Sequence, residues 1–420
     1  MLKTIHSDSE VMKALSKLAG SKASGQKVDP PWFHPFPARL PLCVAEHFVE
    51  HITKPDAIVL DPMVGSGTTI VAARKHGRVG LGFDRDPLAL LIARTATQTL
   101  DTERLEQMRK RILDRALTVN PKMWCSNALP KLSQEDLEFI NYWFPRQSQK
   151  QLFALAASIH EEPEGIERDL AWVVYSSLII AKSKGASYAL DISRSRPHKR
   201  LDKPIVLPFD GWDQRFKFTA RHLPFADSKI SVESNIRAGD ARSLPLENGM
   251  VDLVLTSPPY ISAVDYLRSH KFSLIWMGYS LQILRELRGT MVGTERGLFQ
   301  LNGLPPELEE RLKKIHQKSH RSAQLRRYLC DLHKILGEIE RVLCPGGLAI
   351  LILGPSIITS SKTDAAEVVS KIANVVGLRE VGSVVRHLKE GRRSLPPPSK
   401  AKGNPLSKRM RREVIVAFRK

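Results

Sequence analysis

Short apolar runs that end at a carboxylate, a glycine or a proline punctuate this chain. Between them, apolar residues recur every three or four positions. The two periods predict different elements: a short continuous run reads as a buried strand, the longer recurrence as one face of a helix. Residues 57–62, 80–83, 236–238 and 251–256 are of the first kind, as are 348–353, 380–387 and 413–419. Residues 40–50, 70–75, 105–117, 151–159, 328–342 and 364–376 carry the helical period. Residues 170–181 are apolar enough to form a buried helix. Strand and helix alternate from 57 to about 96, which is the opening of a parallel α/β sheet. The alternation stops near 100, resumes at 236, and is interrupted again by a largely helical stretch over 265–324, broken near 303–306. The expected fold is α/β, an open, mostly parallel twisted sheet with two largely helical insertions, which 413–419 closes. Residues before about 30, with Gly20, Ser21, Ser24 and Gly25, are expected to form a loosely held arm. Residues 191–213, rich in proline and basic side chains, are expected to be an extended loop, and so are 391–407.

The 420 residues are 42% apolar, ordinary for a globular protein with a sizeable core. No run of about eighteen apolar residues is present, so no membrane partner is expected. The first ten residues lack an apolar core, against a secretory signal. Cys43, Cys125, Cys330 and Cys344 are scattered, with neither metal spacing nor a disulfide framework, and read as structural thiols. A cytoplasmic protein is expected. The charge is less ordinary: 64 Lys and Arg against 44 Asp and Glu give +20. Phosphate neutralisation supplies most non-specific affinity for nucleic acid, so such an excess points to a polyanionic partner. Part of it clusters at Arg194, Arg196, His198, Lys199, Arg200 and Lys203, part over 311–327, and part in the tail.

The candidate chemistry sits where the strands end. Ser257, Pro258, Pro259 and Tyr260 follow the run 251–256. Proline fixes its own φ and biases the residue before it toward extended backbone, so this loop is rigid. A hydroxyl, a prolyl carbonyl and an aromatic ring on a rigid loop can grip a planar ring that carries an amino group. Conjugation makes such an amine a poor nucleophile, so acceptors must hold its N–H groups while its lone pair attacks; Ser257 Oγ and the Pro258 carbonyl are candidates. Upstream, Asp61 and Pro62 end a strand and lead through Gly65, Ser66, Gly67 and Thr68 into a helix. The spacing is neither the Gly-x-Gly-x-x-Gly fingerprint nor a Walker loop. Asp84 ends the second strand, where an acid commonly accepts from ribose hydroxyls, and Asp240 follows the third.

Taken in order, these residues resemble those of S-adenosylmethionine-dependent DNA amino-methyltransferases, the restriction-modification enzymes that modify cytosine N4 or adenine N6. Residues 61–69 resemble that family's cofactor loop, with Met63 where Phe is usual. Residues 34–41, beginning His34-Pro35, resemble the segment placed against the methionine end of the cofactor. Residues 257–260 resemble the catalytic tetrapeptide, whose first residue is most often Ser in N4-cytosine enzymes. Residues 265–271, 293–297 and 341–347 resemble later stretches of some members.

The resemblance implies S-adenosylmethionine as cofactor, with Asp61 and the loop to Thr69 at its methionine part, Asp84 at the ribose and Asp240 at the adenine. It implies double-stranded DNA as partner, with a companion restriction endonuclease possible. Residues 1–100 would then hold the arm and the cofactor half, 101–235 a helical and basic insertion that is a candidate for target recognition, and 236–264 the catalytic strand and loop. Residues 265–324 would be a second insertion and 325–420 the remainder with a basic C-terminal segment. The expected activity is methyl transfer to the exocyclic amine of a flipped-out base, cytosine N4 first. Adenine N6 and, behind it, an RNA target are the alternatives. No metal ligand set is found; His316 and His320 read as one face of a helix. Methylation at cytosine C5 would need a Pro-Cys dipeptide, which is absent.

Overall fold

The computed structural model describes residues 6–19, 32–37, 39–119, 132–181, 184–190, 192, 197–225, 232, 234–259, 265–293, 306, 320–354, 365–388 and 412–420. After α1 (Asp8–Ser16) and α2 (Leu42–Ile52), the chain forms β1 (Ile58–Asp61), α3 (Thr68–Lys75), β2 (Val79–Asp84) and α4 (Pro87–Thr97). An insertion follows: α5 (Thr102–Thr118), α6 (Gln134–Trp143), α7 (Arg146–His160), α8 (Ile166–Ile179), the short strands β3 (Ala189–Leu190) and β4 (His198–Lys199), and α9 (Pro208–Arg221). The sheet resumes with β5 (Ser234–Ala238) and β6 (Val251–Thr256), then leaves again through α10 (Tyr266–Leu274) and α11 (Leu281–Thr290). The last elements are α12 (His320–Val342), β7 (Leu343–Leu353), α13 (Ala365–Val375), β8 (Arg379–His387) and β9 (Arg412–Arg419).

Seven strands form one sheet in the order β5-β2-β1-β6-β7-β9-β8. Every neighbouring pair from β5 to β7 is parallel, and β9 alone runs against its neighbours β7 and β8. The expected open, mostly parallel α/β sheet is present. The central strands bury both faces, and successive residues supply opposite sides as the pleat requires. Val59, Leu253 and Ile350 join the cluster formed with α2, α3, α4 and the first insertion, while Leu60, Val254 and Leu351 join α12 and α13 on the other side. Gly80 lets α3 approach closely, because a Cβ there would meet Ile70 Cγ2 at 2.5 Å.

Three expectations are corrected. The N-terminal segment is no loose arm over its described part: Val11 and Leu15 of α1 are fully buried, and Asp8 pairs with Arg379 and Arg419 at 2.8 and 2.9 Å. The stretch 191–213 is not simply a loop. Leu190 pairs with His198 across β3 and β4, and α9 begins inside the stretch, with Pro208 in its first turn, where a missing N–H is harmless. Finally, 412–419 does not close the sheet at its edge but runs between β7 and β8, leaving β8 outermost. Helix α6 was not foreseen. The first insertion shares its core with the sheet: Trp212 and Phe216 of α9 and Val174 of α8 belong to the same hydrophobic cluster as Phe48 and Leu88.

Candidate active site

The strand order reverses between β1 and β6, and in open α/β sheets ligands bind outside the carboxyl ends of the strands at such a point. A cavity lies there. Of the residues singled out by sequence, Asp61, Pro62, Gly65, Ser66, Thr68, Asp84, Asp240, Ser257 and Pro259 line it. His34, Pro35, Gly67 and Pro258 do not, and Tyr260 lies outside the described residues. The wall is completed by Phe36, Arg39, Arg85, Asp86, Asp265, Tyr266, Arg268 and Arg288. Phe36 and Arg39 belong to the segment 34–41, and Asp265, Tyr266 and Arg268 to the stretch 265–271, both noted in the sequence. Arg85, Asp86 and Arg288 had been given no role.

The loop after β1 is shaped by two glycines in the left-handed region, Gly65 at φ 50° and Gly67 at φ 83°. Gly65 donates its N–H to Asp84 Oδ2 at 2.9 Å, and a side chain at Gly65 would press on Phe36 at 3.4 Å. A Cβ at Gly67 would come within 3.0 Å of Ala93 Cα, so this glycine acts by fitting the turn against α4 and not by facing the cavity. Asp61 Oδ1 accepts from Thr256 Oγ1 at 2.8 Å, which joins the ends of the adjacent strands β1 and β6. Burial pushes the carboxyl of Asp61 up to about 6, against the pull of that hydrogen bond. Asp84 is also raised to about 6, by burial first and then by the neighbouring charge of Asp86.

Asp240 differs. Arg242 donates to it from its backbone N–H, Nε and Nη2 at 3.0, 2.9 and 2.7 Å, and Arg85 Nη1 donates to Oδ2. Burial alone would raise its carboxyl, but the hydrogen bonds from Arg242 outweigh that and bring it down to about 2. A carboxylate has about four acceptor sites, and these four donors fill them. Asp240 thus lines the cavity with its carboxylate already engaged by two arginines.

His34 lies behind the cavity wall. The side chain is 2% exposed, with Nε2 3.1 Å from Ser176 Oγ, which in turn donates to Ser273 Oγ at 3.0 Å. Burial holds the imidazole well below its usual range. His34 therefore fastens its segment to α8 and α10, and the same segment presents Phe36, Arg39 and Leu40 to the cavity instead. The Phe36 ring stacks on Tyr266 at 5.3 Å. On the far wall, Ser257 Oγ donates to the carbonyl of Ile352 on β7 at 3.2 Å. Asp265 caps α10 and is gripped by Arg288 at 2.5 Å.

Residues 11–94, which contain the whole glycine loop and Asp84, match the model of the N6/N4 family described as DNA methylase. The curated relatives that the chain resembles over longer stretches are type II methyltransferases. The type II methyltransferase M.BsoBI of Geobacillus stearothermophilus is 24% identical over 273 residues, 56% of this chain and 50% of that protein. The type II methyltransferase M.MvaI of Kocuria varians is 22% identical over 348 residues, 74% of each chain. The chain thus spans about half the length of the first relative and about three quarters of the second. An S-adenosylmethionine-dependent methyltransferase of Methanosarcina mazei overlays 89% of this chain and 96% of its own at 9% identity, with a TM-score of 0.33. The fold assignment rests on strand order and not on that overlay.

The cofactor of such a methyltransferase is S-adenosylmethionine, and the cavity suits it. A side-chain-free bend at Gly65 leaves room against the strand ends, the carboxylates of Asp61 and Asp84 face the cavity, and Phe36 supplies an apolar wall. Among the described residues no group of three or more His, Cys, Asp or Glu could hold a metal ion, and no helix is long and apolar enough to cross a membrane.

Proposed function

We propose that this protein methylates the exocyclic amine of a base extruded from double-stranded DNA, with cytosine N4 as the preferred target. The methylase match and the curated relatives support the DNA methyltransferase class. The preference for cytosine follows from Ser at the first position of the tetrapeptide. One observation supports the amine as target, whichever base carries it: Ser257 spends its hydroxyl proton on the Ile352 carbonyl. A hydroxyl has one proton to donate and two lone pairs. With the proton directed at a main-chain carbonyl, the oxygen can act toward the cavity only as an acceptor. An acceptor is what a conjugated amine needs, since holding its N–H groups turns the nitrogen lone pair toward an electrophile.

The remaining roles follow from placement. Asp84 would accept from the ribose of the cofactor, and Asp61 with the loop to Thr68 would hold its methionine part. Bound S-adenosylmethionine supplies a methyl group on a sulfonium, already a strong electrophile. The chain's own task is then alignment, which can remove several kcal/mol from a barrier. A base cannot reach the strand ends while stacked, so it is flipped out for a few kcal/mol. Pro258 would offer its carbonyl, Pro259 the rigid wall beside Ser257, and Tyr260 the stacking face. A companion endonuclease would share the recognised sequence.

The test is chemical. Duplex DNA methylated by the protein is digested to nucleosides and weighed. N4-methylcytosine is the expected product; N6-methyladenine would keep the enzyme class and overturn the base assignment.

A further inference from the structure

We propose that the β3–β4 hairpin, through Lys199 and the neighbouring Tyr142, forms a contact surface for the backbone of duplex DNA beside the extruded base. The proposal rests on the DNA methyltransferase reading and assigns part of the first insertion a role in it. The hairpin is built to hold a fixed shape. Tyr188 N–H donates to the Trp143 carbonyl at 2.8 Å, and Arg200 N–H returns to the Tyr188 carbonyl at 2.9 Å. Beneath it, the buried Lys203 donates Nζ to the carbonyls of Ser187 and Ala189 at 2.8 and 2.6 Å. A side chain whose desolvation is unfavourable is used here as a staple, which fixes the surface above it.

That surface has the composition of a nucleic-acid contact. Lys199 Nζ stands 4.0 Å from the Tyr142 ring centroid and 5.7 Å from that of Tyr188, with no carboxylate partner among the described residues. Arg200, by contrast, is spent on Asp202 at 2.6 Å. A cation held against ring faces loses little of its charge, and its N–H groups remain suited to phosphate. Tyr142 is 53% exposed, an uneconomical place for a ring without a further partner. The net charge of +20 makes a polyanion the complementary occupant.

The position is also right. Helix α6, which carries Tyr142, packs Phe139 and Trp143 on Phe272 of α10, each at 5.1 Å between ring centroids. Helix α10 begins at Tyr266, in the cavity wall. Six residues separate Tyr266 from Phe272, about 9 Å of helix at ~1.5 Å per residue. The ring cluster thus ties α6 to the helix whose first turn lines the cavity.

The experiment measures binding of the full chain to a fluorescent random-sequence duplex by anisotropy, over a series of salt concentrations. Lys199→Ala should weaken binding several-fold and lower the salt slope by about 1, Lys199→Arg should restore the slope, and Tyr142→Ala should weaken binding with the slope kept. S-adenosylmethionine affinity, measured by calorimetry, should be the same in all variants. Unchanged DNA affinity and slope in Lys199→Ala and Tyr142→Ala would overturn the proposal. So would a loss confined to structured RNA. Reduced DNA binding by the variants of a wild type that transfers no methyl to DNA would uphold the contact surface while removing the enzymatic reading.

Discussion

Asp86 Oδ2 lies 2.6 Å from His270 Nδ1, and both side chains are buried. The other oxygen of Asp86 caps α4, accepting from Leu88 N–H at 2.9 Å, and Asp86 also lines the cavity. His270 sits on α10 with its ring 5.6 Å from Phe36. One carboxylate therefore holds the start of α4 and the first half of α10 in a fixed relation across the site.

Removing the histidine should show how much that relation matters. His270→Phe keeps the ring contact but strands a buried acceptor, for which about 1–3 kcal/mol of stability is the usual loss. Urea unfolding of the variant should give a midpoint lowered accordingly. A midpoint equal to that of the wild type would mean that Asp86 finds another donor.

The raised carboxyls predict opposite trends for stability and for binding. Asp61 and Asp84 titrate near 6 in the folded protein against about 3.8 when exposed. The folded state thus holds protons that the unfolded state releases. The stabilising contribution is complete below pH 3.8 and is lost as pH rises through about 6. Ribose hydroxyls donate better to an ionised acceptor, so S-adenosylmethionine affinity should rise over that interval and level off above it. Calorimetry across the range should show this rise in the wild type and a flatter curve in Asp84→Asn.

Lys203 predicts a trend at the alkaline end. Burial lowers its ammonium from 10.5 to about 8. Between those values the unfolded chain binds the proton and the folded chain does not, so stability from this group rises with pH from about 8 to 10.5. The neutral amine still has two N–H groups for the carbonyls of Ser187 and Ala189. Over that window the urea midpoint of the wild type should climb relative to that of Lys203→Met; parallel curves would contradict it.

The strand ends were legible in sequence because local chemistry marks them. Val59 and Leu60 run into Asp61, Leu253 to Leu255 into Thr256 and Ser257, and the glycines at 65 and 67 announce a turn. The helix α9 carried a usable signal too: Trp212, Phe216 and Thr219 follow the helical period, but the prolines before them suggested a loop. What sequence did not reveal depends on partners far away in the chain. Asp8 meets arginines more than 370 positions later, His270 meets Asp86 across 184, and His34 meets Ser176 across 142. Such pairs carry no local pattern. Asp240 shows the converse difficulty: its position after a strand was readable, while its two arginines, which decide what it can accept, were not.

The most direct test is methyl transfer by Ser257→Ala. Radiolabelled S-adenosylmethionine is mixed with duplex DNA, and incorporation is followed in a single turnover beside a calorimetric titration of the cofactor. Loss of a positioned polar group that acts mainly in the transition state lowers the rate by about 100- to 1,000-fold. Such a fall, with cofactor affinity retained, is the predicted result. Incorporation at the wild-type rate would contradict the account.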